Sequence, residues 1–203
     1  MDIQSWLKLM QNLHTTPKQQ VYNQLLCAYS QPQRYYHTVL HIQECLHIFE
    51  QVYTLAMRPV DIELALWFHD AIYQPGDLNN ELNSANWALQ FLKSIEAPQP
   101  QSHHVFELIL ATTHQEDIQT GDSQLITDID LAILGSNPER YFEFEQAIRQ
   151  EYAHVSKPIY CQKRAKFLNS LLKRSSIYNT EYFKSCYESQ ARINLQAAFT
   201  SLI

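Results

Sequence analysis

The sequence predicts an all-α protein, and three observations carry that prediction. Glycine occurs only three times in 203 residues, at Gly76, Gly121 and Gly135. A β-rich chain needs many tight turns, and those draw heavily on glycine. Leucine, glutamine, alanine and glutamate are abundant and all favour helix. Apolar residues also recur at three- and four-residue spacing along much of the chain.

The elements follow in order. Ile3, Trp6, Leu7, Met10 and Leu13 mark a first helix. Pro17 opens a second, which carries Val21, Leu25 and Leu26. A third is expected from near Tyr35 to about Met57, with Ile42, Cys45, Leu46, Phe49, Val52 and Tyr53 on its apolar face. Pro59 opens a fourth that ends near Ile72, ahead of the turn Gln74-Pro75-Gly76-Asp77. A fifth starts near Asn79 or Asn80. Ala97 to Pro100 reads as a linker, and Ser102 as the cap of a helix reaching Thr113. His114 to Asp122 reads as a loop, with Glu116 and Asp117 solvated. Asp122 or Ser123 caps the next helix, which Gly135 stops. Pro138 opens another, with Tyr141, Phe142 and Phe144 read as core, and the last two cover about 157–174 and 181–201. Linkers are short and no repeat is visible, so a single domain over residues 1–203 is expected.

Charge and composition exclude several function classes. Hydrophobic residues make up 45% of the chain, which is the composition of a globular protein. A net charge of −6 argues against bulk nucleic-acid binding, which needs a basic surface. It leaves room for a small phosphorylated substrate, which needs only a local positive site. Six of the 15 basic residues lie between Lys157 and Arg174, and such a run reads as a solvated helix face. Cys27, Cys45, Cys161 and Cys186 are scattered, as buried thiols of a reducing cytoplasm would be. No signal core and no long apolar run occur, so a soluble cytoplasmic protein without a membrane partner is expected. Nothing in the sequence supports an oligomer.

The most informative pair is His69-Asp70, at the end of the apolar run Leu64-Ala65-Leu66-Trp67-Phe68. A polar pair closing a buried segment is costly unless something satisfies it. A divalent cation would, because histidine offers a neutral nitrogen and aspartate a charged oxygen. His37 and His41, four residues apart, share a face if both are helical. Asp128 and Asp130 are two apart, so one of them is expected to join the same site and the other to stand beside it. Mixed nitrogen and oxygen donors suit manganese, iron, cobalt, nickel or magnesium better than a closed structural zinc site.

The order His41, His69-Asp70, Asp130 is similar to that of the HD-domain superfamily of metal-dependent phosphohydrolases. Arg34-Tyr35-Tyr36-His37-Thr38-Val39-Leu40-His41-Ile42 resembles its first metal-binding helix, and Trp67-Phe68-His69-Asp70-Ala71-Ile72-Tyr73 its central motif. Asn80-Glu81 with Ser84-Ala85 resembles the next helix start in one subgroup, and Asp128-Ile129-Asp130-Leu131-Ala132-Ile133-Leu134-Gly135 the final aspartate motif. The matches span about residues 34–180. The resemblance implies a helical bundle with one metal ion held between helices by His41, His69, Asp70 and Asp130. It also implies hydrolysis of a small-molecule phosphate ester, a nucleotide among the options, by a metal-activated water. Asp70 and Asp128 would then stand at the chemistry.

Other residues carry two readings each. Arg34 either binds a phosphate or orders the helix start through an ion pair. His37 is either a residue beside the ligands or a donor to phosphate. Glu81 either supports a ligand histidine or serves the helix N-terminus as an acid. His114 either holds a second ion or ends a helix. Arg164, in the basic run, either reaches the site or stays on its solvated face. The alternative function is a nucleotide- or metal-binding regulatory module with negligible turnover.

Overall fold

The structure, a computed structural model, describes residues 2–114 and 121–202. It is all-helical, as the composition requires. The helices are α1 (Ile3–Asn12), α2 (Gln19–Tyr29), α3 (Val39–Val52), α4 (Pro59–Phe68), α5 (Asn80–Ser94), α6 (Gln99–Ala111), α7 (Gly121–Asp130), α8 (Pro138–Glu151), α9 (Lys157–Leu172) and α10 (Glu181–Leu202). Short 3₁₀ turns follow α3 (Tyr53–Leu55) and α7 (Leu131–Gly135). No described helix is long and apolar enough to cross a membrane. Contacts gather the chain into two compact units, Met1–Ile129 and Asp130–Ile203. Glu116 and Asp117 lie outside the described residues.

In the first unit, α4 is the central element. Ile62, Leu64, Ala65, Leu66, Trp67 and Phe68 are all fully buried, and α1, α3, α5 and α6 pack against the helix. Trp6 stands edge-on to Trp67 at 5.2 Å, and Phe68 stacks on Phe91 at 5.5 Å. In this core Trp6 Nε1 donates to Pro17 O at 2.7 Å and Tyr29 Oη to Trp67 O at 3.0 Å, whereas Trp67 Nε1 is buried without a hydrogen-bond partner among the described residues.

Helix ends depart from expectation where capping chemistry decides. α3 starts at Val39, because the Thr38 side chain accepts from Leu40 N; Arg34 to His37 therefore precede the helix. α4 stops at Phe68, so His69 is its C-cap and Asp70 begins the turn. α6 begins at Gln99, inside the expected linker, since proline is tolerated in a helix's first turn. Gly76 takes φ +84°, the left-handed backbone its turn demands. The Asp122 carboxylate accepts from Met57 N (2.7 Å) and Arg58 N (2.9 Å), so it caps the start of α4, which has no side-chain cap of its own. His104, beside the exposed His103, bonds the buried Asp61 through Nδ1 at 2.9 Å.

Glu63, on α4, is a titrating group with a measurable consequence. Burial raises its carboxyl to about 7; Lys8 opposes the rise and Glu50 adds to it. The folded state therefore holds this proton where the unfolded chain has released it. The stability so gained is fully present below the ordinary glutamate range and is lost as pH rises through about 7. Glu63→Gln is expected to flatten the fall in stability between about pH 5 and pH 8. Urea unfolding at both ends of that window checks it, and an unchanged slope would remove Glu63 as the cause.

The second unit holds the 3₁₀ turn, α8, α9 and α10. Asn194 Nδ2 donates to Leu134 O (2.9 Å) and Ser136 O (2.8 Å), and Tyr178 Oη to Leu131 O (3.1 Å). Tyr141 and Phe144 are buried as expected, whereas Phe142 is 61% exposed. Arg164 departs from its solvated run: its guanidinium forks onto Glu145 at 3.1 and 2.8 Å, between the rings of Phe144 and Phe167.

Candidate metal centre

Three elements deliver the donors. α3 carries His41 in its first turn, the end of α4 presents His69 and Asp70, and α7 ends on Asp130. His41 and His69 are 2% and 0% exposed, and Asp70 is 8% exposed. His41 Nε2 stands 3.1 Å from His69 Nε2. Asp70 Oδ2 lies 3.3 Å from the first nitrogen and 3.2 Å from the second. These three atoms form a nearly equilateral triangle in the protein interior.

The tautomer of His69 follows from its other nitrogen. Nδ1 sits 2.9 Å from Leu66 O, and a carbonyl oxygen only accepts, so Nδ1 carries the hydrogen. In the neutral ring Nε2 then presents a lone pair to His41 and Asp70, the arrangement an outer carbonyl imposes on metal-binding histidines. Electron pairs crowded this closely repel unless a cation stands among them. Burial alone would push the Asp70 carboxyl up, but His69, His37 and hydrogen bonds from His41 and His69 outweigh it and hold it well below the usual carboxylate range.

A divalent ion fits the same place. Donors bonded at about 2.1 Å stand about 3.0 Å apart at octahedral angles and about 3.4 Å apart at tetrahedral ones. The observed 3.1–3.3 Å falls between these values. A wider group joins Asp130 and Cys45 to the two histidines, with one donor atom of each within 4.8 Å of all the others. Asp128 is fully buried on the same helix and is not in this group; two residues apart, the carboxylates leave α7 on opposite sides.

The sequence reading did not assign Cys45 to the site, although it lies four residues after His41 and shares its helix face. His114 also stays outside the donor group; it follows α6 with φ +59°, a left-handed helix terminus. His37 precedes α3 and stacks on Tyr73 at 4.0 Å, which places it on a different element from His41. Glu81 lies in the first turn of α5. Its neighbours Asn80 and Ser84 fasten the loop after His69-Asp70: Asn80 bonds Gln74 and Asp77, and Ser84 Oγ bonds Ile72 N at 3.0 Å.

Arg34 is 5% exposed and binds the same loop from the other side. It donates to Asp70 O (2.7 Å), Ala71 O (3.0 Å), His37 O (3.1 Å) and Gln31 Oε1 (3.2 Å). Tyr29 and Tyr73 lie 5.2 and 5.5 Å from its guanidinium carbon.

No family model matches the chain, and neither a curated protein nor a solved structure does.

Proposed function

We propose that the chain is a metal-dependent phosphohydrolase of the HD-domain kind, acting on a small phosphorylated molecule, with a nucleotide as one candidate. The observation that carries the reading is the buried triangle of His41 Nε2, His69 Nε2 and Asp70 Oδ2, with sides of 3.1–3.3 Å. Asp130 would complete the set. A divalent ion bound there would supply Lewis acidity toward a phosphoryl oxygen and acidify a water. The chain's own residues set the stage for it. The Leu66 carbonyl fixes the His69 ring, the imidazoles keep Asp70 ionised, and Arg34 holds the backbone that positions Asp70. His37, stacked on Tyr73 ahead of α3, would donate a hydrogen bond to an arriving phosphate.

A regulatory module with negligible turnover would use the same donors. One observation favours it: the Arg34 guanidinium, which would otherwise steady a phosphoryl group, is engaged by three backbone carbonyls.

The test pairs elemental analysis with a screen of phosphomonoesters and nucleotides, on the natural chain and on Asp70→Ala. About one equivalent of a divalent metal is expected. In the variant both metal content and activity should fall by at least about 100-fold, beyond what loss of an outer partner costs, with the circular dichroism of the fold unchanged. Full activity in Asp70→Ala would sink the proposal. Tight binding of a phosphorylated ligand without product would move it to the regulatory reading.

A further inference from the structure

We infer that the thiol of Cys45 is a ligand of the same centre and biases it toward a thiophilic ion, zinc, cobalt(II) or iron(II), over magnesium and manganese. The inference rests on the metal-centre reading above. It adds a donor that the order His41, His69-Asp70, Asp130 does not contain.

Cys45 lies one turn beyond His41 on α3, so the two side chains leave the helix on one face. Its Sγ is 3.7 Å from His41 Nδ1 and 3.8 Å from His41 Nε2. The residue is 2% exposed, and its sulfur lies within 4.8 Å of donor atoms of His41, His69 and Asp130. A sulfur bonded at about 2.3 Å and a nitrogen at about 2.1 Å on one tetrahedral ion stand about 3.6 Å apart. The separation of Sγ from His41 Nε2 is therefore within a few tenths of an ångström of what one shared ion requires, and the other donors lie within 4.8 Å of the sulfur. Buried cysteines ordinarily pack as small apolar groups. This one faces imidazole nitrogens and a carboxylate.

The chemistry of the donor sets the preference. Carboxylate and water suit magnesium and manganese, whereas thiolate together with imidazole suits zinc, cobalt and iron. When the ion binds, the sulfur–hydrogen bond breaks, the proton leaves to solvent and a sulfur–metal bond forms. No oxidation state changes.

Cobalt(II) added to the full chain tests this by absorption spectroscopy, without reference to turnover. The expected spectrum has visible d–d bands and a near-ultraviolet thiolate-to-cobalt charge-transfer band. Cys45→Ser should keep the visible bands and lose the near-ultraviolet one, and competition should show its preference for zinc over magnesium falling by at least about 10-fold. Visible bands alone in the natural protein, or a charge-transfer band unchanged in Cys45→Ser, would overturn the thiolate ligand and leave the histidine–aspartate centre standing. No cobalt bands at all in the natural protein would overturn the centre itself, and the thiolate with it.

Discussion

Arg34→Ala is expected to lower the stability of the fold by about 3–5 kcal/mol, because three backbone carbonyls lose a charged donor at once. Those carbonyls belong to His37, Asp70 and Ala71, and the guanidinium that serves them is 5% exposed. Each buried acceptor left without a partner costs about 1–3 kcal/mol, and water entering the loop would recover part of the sum. Lysine cannot substitute, since an ammonium lacks the planar fork that reaches three oxygens together. Arg34→Lys should therefore recover less than half of the loss. The urea midpoint, at an unchanged slope, measures both variants. The metal content of Arg34→Ala should fall as well, since the Asp70 backbone is what the side chain holds. Normal stability with substrate affinity alone reduced would return Arg34 to a phosphate-binding role.

Gly135→Ala should cost about 3 kcal/mol, at the upper end of what overpacking usually costs, for a steric reason that the sequence does not display. A Cβ at residue 135 would come within 2.7 Å of both Tyr187 Cβ and Tyr187 O and 3.0 Å from Tyr187 Cα. Two of those atoms are backbone of α10, so no rotamer change relieves the contact. The 3₁₀ turn and α10 would have to separate, although Asn194 holds them together through Leu134 and Ser136. A drop in melting temperature of about 6–12 °C is the expected reading for a chain of this size. Melting like that of the natural protein would show that α10 shifts without penalty. Read from sequence, Gly135 was a helix stop; in the structure its work is to let two backbones touch.

That contrast marks what was legible. Helix class came from three scarce glycines and an apolar spacing that tolerates no strand. α9 and α10 end within two residues of expectation. The start of α3 and the end of α4 were misplaced by about four residues, since a Thr38 cap and a turn at His69 compete with a periodicity that continues past them. At the site, His41, His69, Asp70 and Asp130 were expected from their order along the chain; the two histidines stand 3.2–3.3 Å from Asp70 and, in a second grouping, within 4.8 Å of Asp130 and Cys45. Cys45 was visible at helical spacing from His41 but has an equally good apolar reading, so burial alone could not separate the two. The partners of Arg34, Asp122 and His104 lie 36, 64 or 65, and 43 residues away, and no local pattern encodes such distances.

α4 has almost no face toward solvent, and this sets how the donors at its end behave in time. Its amides from Leu64 onward are expected to exchange with deuterium only when the first unit opens as a whole. His69 thus inherits the lifetime of the core and does not fluctuate like a loop residue. An ion binding there would meet groups whose ordering entropy was lost when the protein folded, so little of its binding free energy would be consumed in arranging them. The converse is a shared vulnerability: a cavity cut beside Trp67, two residues before His69, would loosen the donor positions and hasten release of any bound ion.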